Sequence, residues 1–181
     1  MFTEFLHMVE DQFGLELLDR VLLRTPQASG VYTAVGTYDP REMNALVTSL
    51  GAELSRPVAE LLRAFGRHLF QRFVVLYPHL LRGATDALAL LEQVEGHIHV
   101  EVRKLYPDAQ LPRFRAFRSG AGRLELVYES PRRLADFAHG LMEGCLQHFR
   151  MDATIVPYAE DAGDGAQRVR FLVTCPSAIA T

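Results

Sequence analysis

The sequence predicts an α+β domain, mainly helical in its N-terminal half and followed by a four-stranded antiparallel sheet with an inserted helix, in the order ββαββ. Three observations carry this expectation. Apolar residues recur at helical spacing up to about residue 105. Beyond the loop 106–112 the period shortens to that of strands, as where Arg168 and Arg170 alternate with Val169, Phe171 and Val173. Ser119-Gly120-Ala121-Gly122 separates two such runs as a hairpin turn. With 181 residues, 49% hydrophobic and 23% charged, and with neither an internal repeat nor a linker, the chain reads as one domain over residues 1–181.

The elements follow in order. Phe2 to Gln12 forms a helix with Phe2, Phe5, Leu6 and Val9 on one face, and Gly14 separates it from a second helix, Leu15 to Arg24. Pro26 to Pro40, with a proline at each end and two glycines between, reads as a connection of short irregular turns. Arg41 to Gly51, Pro57 to Phe65 and Leu69 to Leu76 predict three more helices. Tyr77-Pro78 stops the last, because proline lacks an N–H and disfavours helical backbone in the residue before it. A long helical pattern runs from Gly83 to about Leu105. Arg113 to Phe117 and Arg123 to Tyr128 flank the hairpin turn, and Pro131 to Phe149 is a helix. Ala153 to Tyr158 and Arg168 to Thr174 pair across a polar loop, Ala159 to Gln167.

Charge and composition exclude several functions. A formal net charge of −3, with 19 basic residues scattered along the chain, argues against a sequence-independent grip on nucleic acid. No run approaches the 18 or so apolar residues of a membrane span, and the opening MFTEFLHMVEDQFG carries acids where a signal peptide would carry lysines. We therefore expect a soluble, cytoplasmic protein in which Cys145 and Cys175 are reduced thiols. There is no Gly-x-Ser-x-Gly elbow, phosphate loop, Cys-x-x-Cys or supported carboxylate pair, and Gly163-Asp164-Gly165 is too short to count, so an enzyme is not expected.

Two constellations invite chemistry. In His97-Ile98-His99 the imidazoles would diverge by about 200° on a helix, so both cannot reach one ion. The apolar stripe Ala84, Ala87, Leu88, Leu91, Val94, Ile98, Val102, Leu105 leaves them on opposite flanks. Either could be a ligand, and either could be an ordinary half-buried histidine. In Tyr128-Glu129-Ser130-Pro131-Arg132-Arg133, Pro131 suits the first helical position and Ser130 the N-cap. Two arginines in a first helical turn are disfavoured by the helix dipole unless an anion is present, so the segment reads either as a plain cap or as a cradle for carboxylate or phosphate.

These segments combine. His99 followed by Val-Glu-Val-Arg-Lys-Leu-Tyr, Leu111-Pro112-Arg113, Tyr128-x-Ser130-x-Arg132 and Gly140-Leu141-Met142-Glu143-Gly144, with Phe13-Gly14 and Ala64-Phe65-Gly66, resemble the haem nitric-oxide/oxygen-binding (H-NOX) family, in its stand-alone bacterial NO-sensor type, over essentially the entire chain. The resemblance implies haem b (ferrous protoporphyrin IX) as cofactor. It makes His99 the proximal iron ligand, because His99 and not His97 stands thirteen residues before the matching Pro112. It gives Tyr128, Ser130 and Arg132 to the haem propionates, and Pro112, otherwise mere loop punctuation, to a contact with the porphyrin.

Oxygen-binding relatives supply a distal tyrosine on the helix after Tyr-x-Ser-x-Arg, and the matching residue here is Phe137. The other implied distal walls, Phe5, Leu69, Phe73 and Leu141, are equally apolar. The resemblance thus implies a sensor of NO, also binding CO, that excludes O₂ by withholding a hydrogen-bond donor. Release of the Fe–His99 bond would free helix 83–105 and signal to a separate histidine kinase or cyclic-di-GMP enzyme. Some relatives carry a structural zinc, but Tyr158 to Gln167 holds neither Cys nor His here, and none is expected. The rival reading is a haem-free small-molecule or protein-interaction module of the same fold, which the combination of His99 and a complete cradle argues against.

Overall fold

The structure, a computed structural model, describes residues 1–25, 32–33, 38–163 and 165–176. Much of the expected connection 26–40, and Asp164 of Gly163-Asp164-Gly165, lie outside the described residues. Helix α1 (Phe2–Phe13) buries Phe2, Phe5, Met8 and Val9, as its apolar spacing requires. Gly14, at φ 84°, ends it and opens α2 (Leu15–Leu23), a left-handed backbone that suits glycine. The Asp39 carboxylate caps α3 (Pro40–Leu54) by accepting the Arg41 N–H at 2.9 Å.

Where periodicity predicts two helices, Pro57 to Phe65 and Leu69 to Leu76, the chain forms one, α4 (Val58–Leu76). Gly66, in the gap between the two expected helices, is the point where α4 meets α7 (Ala135–His148). A Cβ added at Gly66 would lie 2.7 Å from the Leu141 nitrogen, and one at Gly144 would lie 2.8 Å from the Phe70 Cβ. The two helices touch backbone to backbone because these residues have no side chains.

A short 3₁₀ turn, Pro78–Leu81, follows α4. The long helix expected from Gly83 to Leu105 is three pieces. Helix α5 (Ala87–Glu92) starts only after Asp86, which caps it by accepting the Ala89 N–H at 2.8 Å. A π-helical turn, Val94–Ile98, follows, and then α6 (His99–Leu105). The π turn inserts one residue into the helical count, rotating everything beyond it by about 100°. His99 thereby takes the phase that Ile98 would hold in a regular helix. Its burial follows, as does the exposure of Leu105, half of whose surface is open to solvent.

Strands β1 (Arg113–Arg118), β2 (Arg123–Ser130), β3 (Thr154–Glu160) and β4 (Gln167–Thr174) form one antiparallel sheet in the order β1-β2-β4-β3, with α7 inserted between β2 and β3. The expected ββαββ architecture is present. The helix predicted from Pro131 begins at Ala135 instead. Residues 131–134 form a turn with Arg133 at φ 55°, and the first N–H groups of α7 are taken by side chains from the sheet. Leu134 N–H donates to Tyr128 Oη and Ala135 N–H to Gln167 Oε1, each at 3.1 Å.

Helix α7 divides two cores. Its Phe137 and Leu141, with Leu134 just before it, pack on the first, built around Phe5, Phe65 and Leu69 from α1 and α4. Its Ala138, Met142 and Cys145 pack on the second, built from α5 and the inner face of the sheet around Leu126, Tyr128 and Phe171. Cys145 and Cys175 are both free and buried. Among the described residues no helix is long and apolar enough to cross a membrane.

Candidate functional site

His99 opens α6 directly after the π turn and is only 7% exposed. Its Nδ1 lies 3.1 Å from Glu95 Oε2, one turn back. The same carboxylate oxygen accepts the Phe114 N–H at 3.1 Å, and Arg103 Nη2 donates to Oε1 at 3.3 Å. Partial burial alone would raise the Glu95 carboxyl, but the hydrogen bonds from Phe114, His99 and Arg103 outweigh it and hold it below the ordinary carboxylate range. For His99 burial wins over the attraction of Glu95, and the imidazole pKa is lowered. The neutral ring is favoured. With its proton on Nδ1 and directed at Glu95, the lone pair is on Nε2.

The ring of His99 lies 5.8 Å from that of Phe114, which stands edge-on to Tyr128 at 5.6 Å. Strand alternation explains the next step. Tyr128 and Ser130 are two apart on β2, share its inner face and are both buried. Ser130 Oγ accepts the Arg132 N–H at 3.1 Å, and Arg132 Nη1 donates to the Gln110 carbonyl at 3.0 Å. That bond ties the cradle to the segment carrying Pro112, which is half-buried just ahead of β1.

Two expectations about the cradle need correction. Ser130 is not an N-cap and Pro131 is not a first helical residue, because α7 begins at Ala135 and the Tyr128 hydroxyl and Gln167 satisfy its entry. The helix dipole therefore does not define the site, and Arg133 is exposed on the turn. What remains is sharper. Arg132 Nε is buried and has no hydrogen-bond partner among the described residues, and burial lowers the guanidinium pKa. A desolvated guanidinium N–H without an acceptor suits a carboxylate such as a propionate.

The expected distal residues gather on the first core. Phe5 and Leu69 are buried in it, and Phe73, Phe137 and Leu141 pack against it. Phe65, absent from the expected walls, joins them. It stands edge-on to Phe5 at 5.2 Å and tilted against Phe137 at 5.1 Å. None of these six side chains carries an N–H or O–H. The spacing Phe65, Leu69, Phe73 reveals Phe65 once α4 is read as one helix. Glu95 was likewise within reach of sequence reasoning, one helical turn before His99.

His97 is less well connected. It is half-buried in the π turn, and its Nε2 is buried without a partner among the described residues. An open depression of about 640 Å³ lies elsewhere, between α7 and β3, lined by residues including Arg67, His139, Glu143 and Ile155, and none of the expected site residues borders it.

The sequence profile of the haem-NO-binding family matches residues 1–156. No curated protein matches the chain by sequence. Solved structures do. The Fe(II) unliganded H-NOX protein from K. algicida is 39% identical, with a TM-score of 0.89 over 96% of this chain and 94% of that one. The H-NOX from Shewanella woodyi, bound to IWP-051 in the Fe(II)CO ligation state, is 39% identical, with a TM-score of 0.80 over 98% and 93%. The H-NOX protein from S. oneidensis in the Fe(II)NO ligation state is 26% identical, with a TM-score of 0.84 over 96% of each chain.

Proposed function

That the chain belongs to the haem-NO-binding (H-NOX) family is the premise from which we propose its function: a haem-based sensor of nitric oxide that excludes O₂ and signals to a separate protein. His99 is the proximal ligand through Nε2. Tyr128, Ser130 and Arg132 receive the propionates, Pro112 contacts the porphyrin, and Phe5, Leu69, Phe73, Phe137 and Leu141, with Phe65 behind them, line the distal side. One observation carries this assignment. A buried imidazole with Nδ1 committed to Glu95 and a buried Arg132 N–H lacking an acceptor among the described residues are joined through Phe114 and Tyr128.

Haem b, when bound, would supply a ferrous iron able to take a diatomic ligand. The chain decides which. O₂ gains from a nearby hydrogen-bond donor, whereas NO and CO do not depend on one, and the distal side chains offer none. The relatives studied with NO and with CO support the binding of these two ligands. The assignment includes no structural zinc and no turnover chemistry.

His99 also positions α6. While His99 is held from inside, α6 is tied to β1 through Glu95 and to the end of α4 through the Tyr77–Tyr106 hydroxyl contact at 3.1 Å. Loss of the inner hold on His99 leaves these outer ties to determine where α6 rests. A partner of the histidine kinase or cyclic-di-GMP enzyme type, in the bacterial cytoplasm, would read that two-state shift.

Absorption spectra of the ferrous, haem-loaded protein under argon, air, CO and NO test the proposal. CO and NO should each shift the Soret band, and air should leave the argon spectrum in place until slow oxidation. A prompt, stable shift in air would overturn O₂ exclusion, and failure to take up haem would overturn the function.

A further inference from the structure

We propose that Glu95 is a positioning residue for the proximal ligand. Its carboxylate, bridging His99 to the start of β1, sets how strongly His99 holds the haem iron. The inference deepens the functional reading above and rests on it.

The geometry carries it. Glu95 Oε2 lies within 3.1 Å of both His99 Nδ1 and the Phe114 backbone nitrogen. One oxygen therefore fixes the plane of the imidazole against β1, the strand whose Phe114 ring also lies beside it. The π turn makes this possible, because it rotates His99 inward while keeping Glu95 on the face toward β1. Phe114 then reports on His99 twice, through its N–H on Glu95 and through its ring beside the imidazole.

A carboxylate accepting the Nδ1 proton makes an imidazole a stronger metal donor than a neutral carbonyl would, and it fixes the tautomer that leaves Nε2 free. Arg103 on Oε1 and the Phe114 N–H on Oε2 draw on the same charge. They temper the donor strength that Glu95 confers and hold its side chain in register. Glu95 thus decides how readily His99 is lost, which is the event the signalling proposal needs.

The test uses the haem-loaded ferrous protein and the variants Glu95→Gln and Glu95→Ala, read by the Fe–His stretching band in resonance Raman spectra and by haem transfer to a scavenging apoprotein. Glutamine keeps an acceptor oxygen but loses the charge, so the band should move to lower wavenumber. Alanine should move it further, with haem loss faster by about tenfold or more. If alanine prevents folding, the isosteric glutamine still decides. An unchanged band in Glu95→Gln would overturn this inference alone, provided that the band vanishes in His99→Gly. A wild-type protein with no such band would overturn the functional reading itself.

Discussion

Replacing Gly66 with alanine should separate the two helices that carry four of the proposed distal residues, Leu69, Phe73, Phe137 and Leu141. The added Cβ would lie 2.7 Å from the Leu141 nitrogen and 2.8 Å from the Gly140 carbonyl carbon, and nearer still to the Phe137 carbonyl oxygen. Ordinary contact needs about 3.5 Å, and the nearest of these atoms decides the movement, so α4 and α7 must part by roughly 1 Å. All three neighbours are backbone, and no side-chain rotation relieves them. Overpacking of this kind costs about 1–3 kcal/mol, and the upper end applies here. Alanine returns about 1 kcal/mol of helix propensity. The net loss is then about 2 kcal/mol, or roughly 4–8 °C in Tm for a chain of this length.

Gly96→Ala is the matched control. Nothing lies within 4 Å of an added Cβ there, so the same substitution should be neutral or raise Tm by about 2–4 °C. Thermal unfolding followed by circular dichroism, on proteins with equal haem content, compares the pair. If Gly66→Ala were as stable as the parent, the close backbone approach of α4 and α7 would be refuted, and with it the placement of Phe65 against Phe137.

Three further outcomes are expected. Phe137→Tyr places a hydroxyl among the proposed distal residues, so ferrous protein in air should acquire a spectrum distinct from that under argon; an unaltered spectrum would mean that residue 137 does not face the ligand. His139 is buried, and burial followed by the charges of Arg63 and Arg67 sets its pKa below the ordinary 6.5, against the opposing pull of Glu143 and Asp136. The unfolded chain therefore binds more protons near and below that pH, so stability should fall as pH drops through about 6.5, and His139→Phe should flatten this part of a denaturant-unfolding profile measured from pH 8 to 5. Burial pushes the Cys145 thiol up to about 12, so a thiol-alkylating reagent at pH 8 should leave Cys145 unmodified in the folded protein and modify it in denaturant.

The ordering of elements was legible because it depends on local period. The change from helical to alternating spacing near residue 105 marks the passage to the sheet, and the turn 119–122 marks its first hairpin. Three details escaped because a neighbour decides them. The gap expected between residues 65 and 69 closes because α7 fills the space a side chain at Gly66 would occupy. The start of α7 moves from Pro131 to Ala135 because Tyr128 and Gln167, on two different strands, accept its first N–H groups. The π turn inserts a residue that leaves no mark in the apolar stripe, and only with it does His99 turn inward rather than lie on a flank.

The site was legible in a similar measure. Alternation on β2 brings Tyr128 and Ser130 together, and the Arg132 backbone N–H closes onto Ser130 as their spacing suggests. For Arg132 the helix dipole gives way to desolvation of Nε as the reason to expect an anion there. Phe114 was invisible as a site residue because its role depends on β1 lying beside α6, a contact between segments that share no period.

The proposed function depends most on His99 holding the iron. The decisive measurement is the absorption spectrum of the purified ferrous protein beside that of His99→Gly, the latter recorded before and after adding imidazole. The wild-type chain should show a strong Soret band, His99→Gly should lose it or take up little haem, and imidazole should restore it by filling the space the side chain leaves. A Soret band unaffected by His99→Gly would place the iron on another ligand, with His97 the first residue to substitute next, and would contradict the assignment.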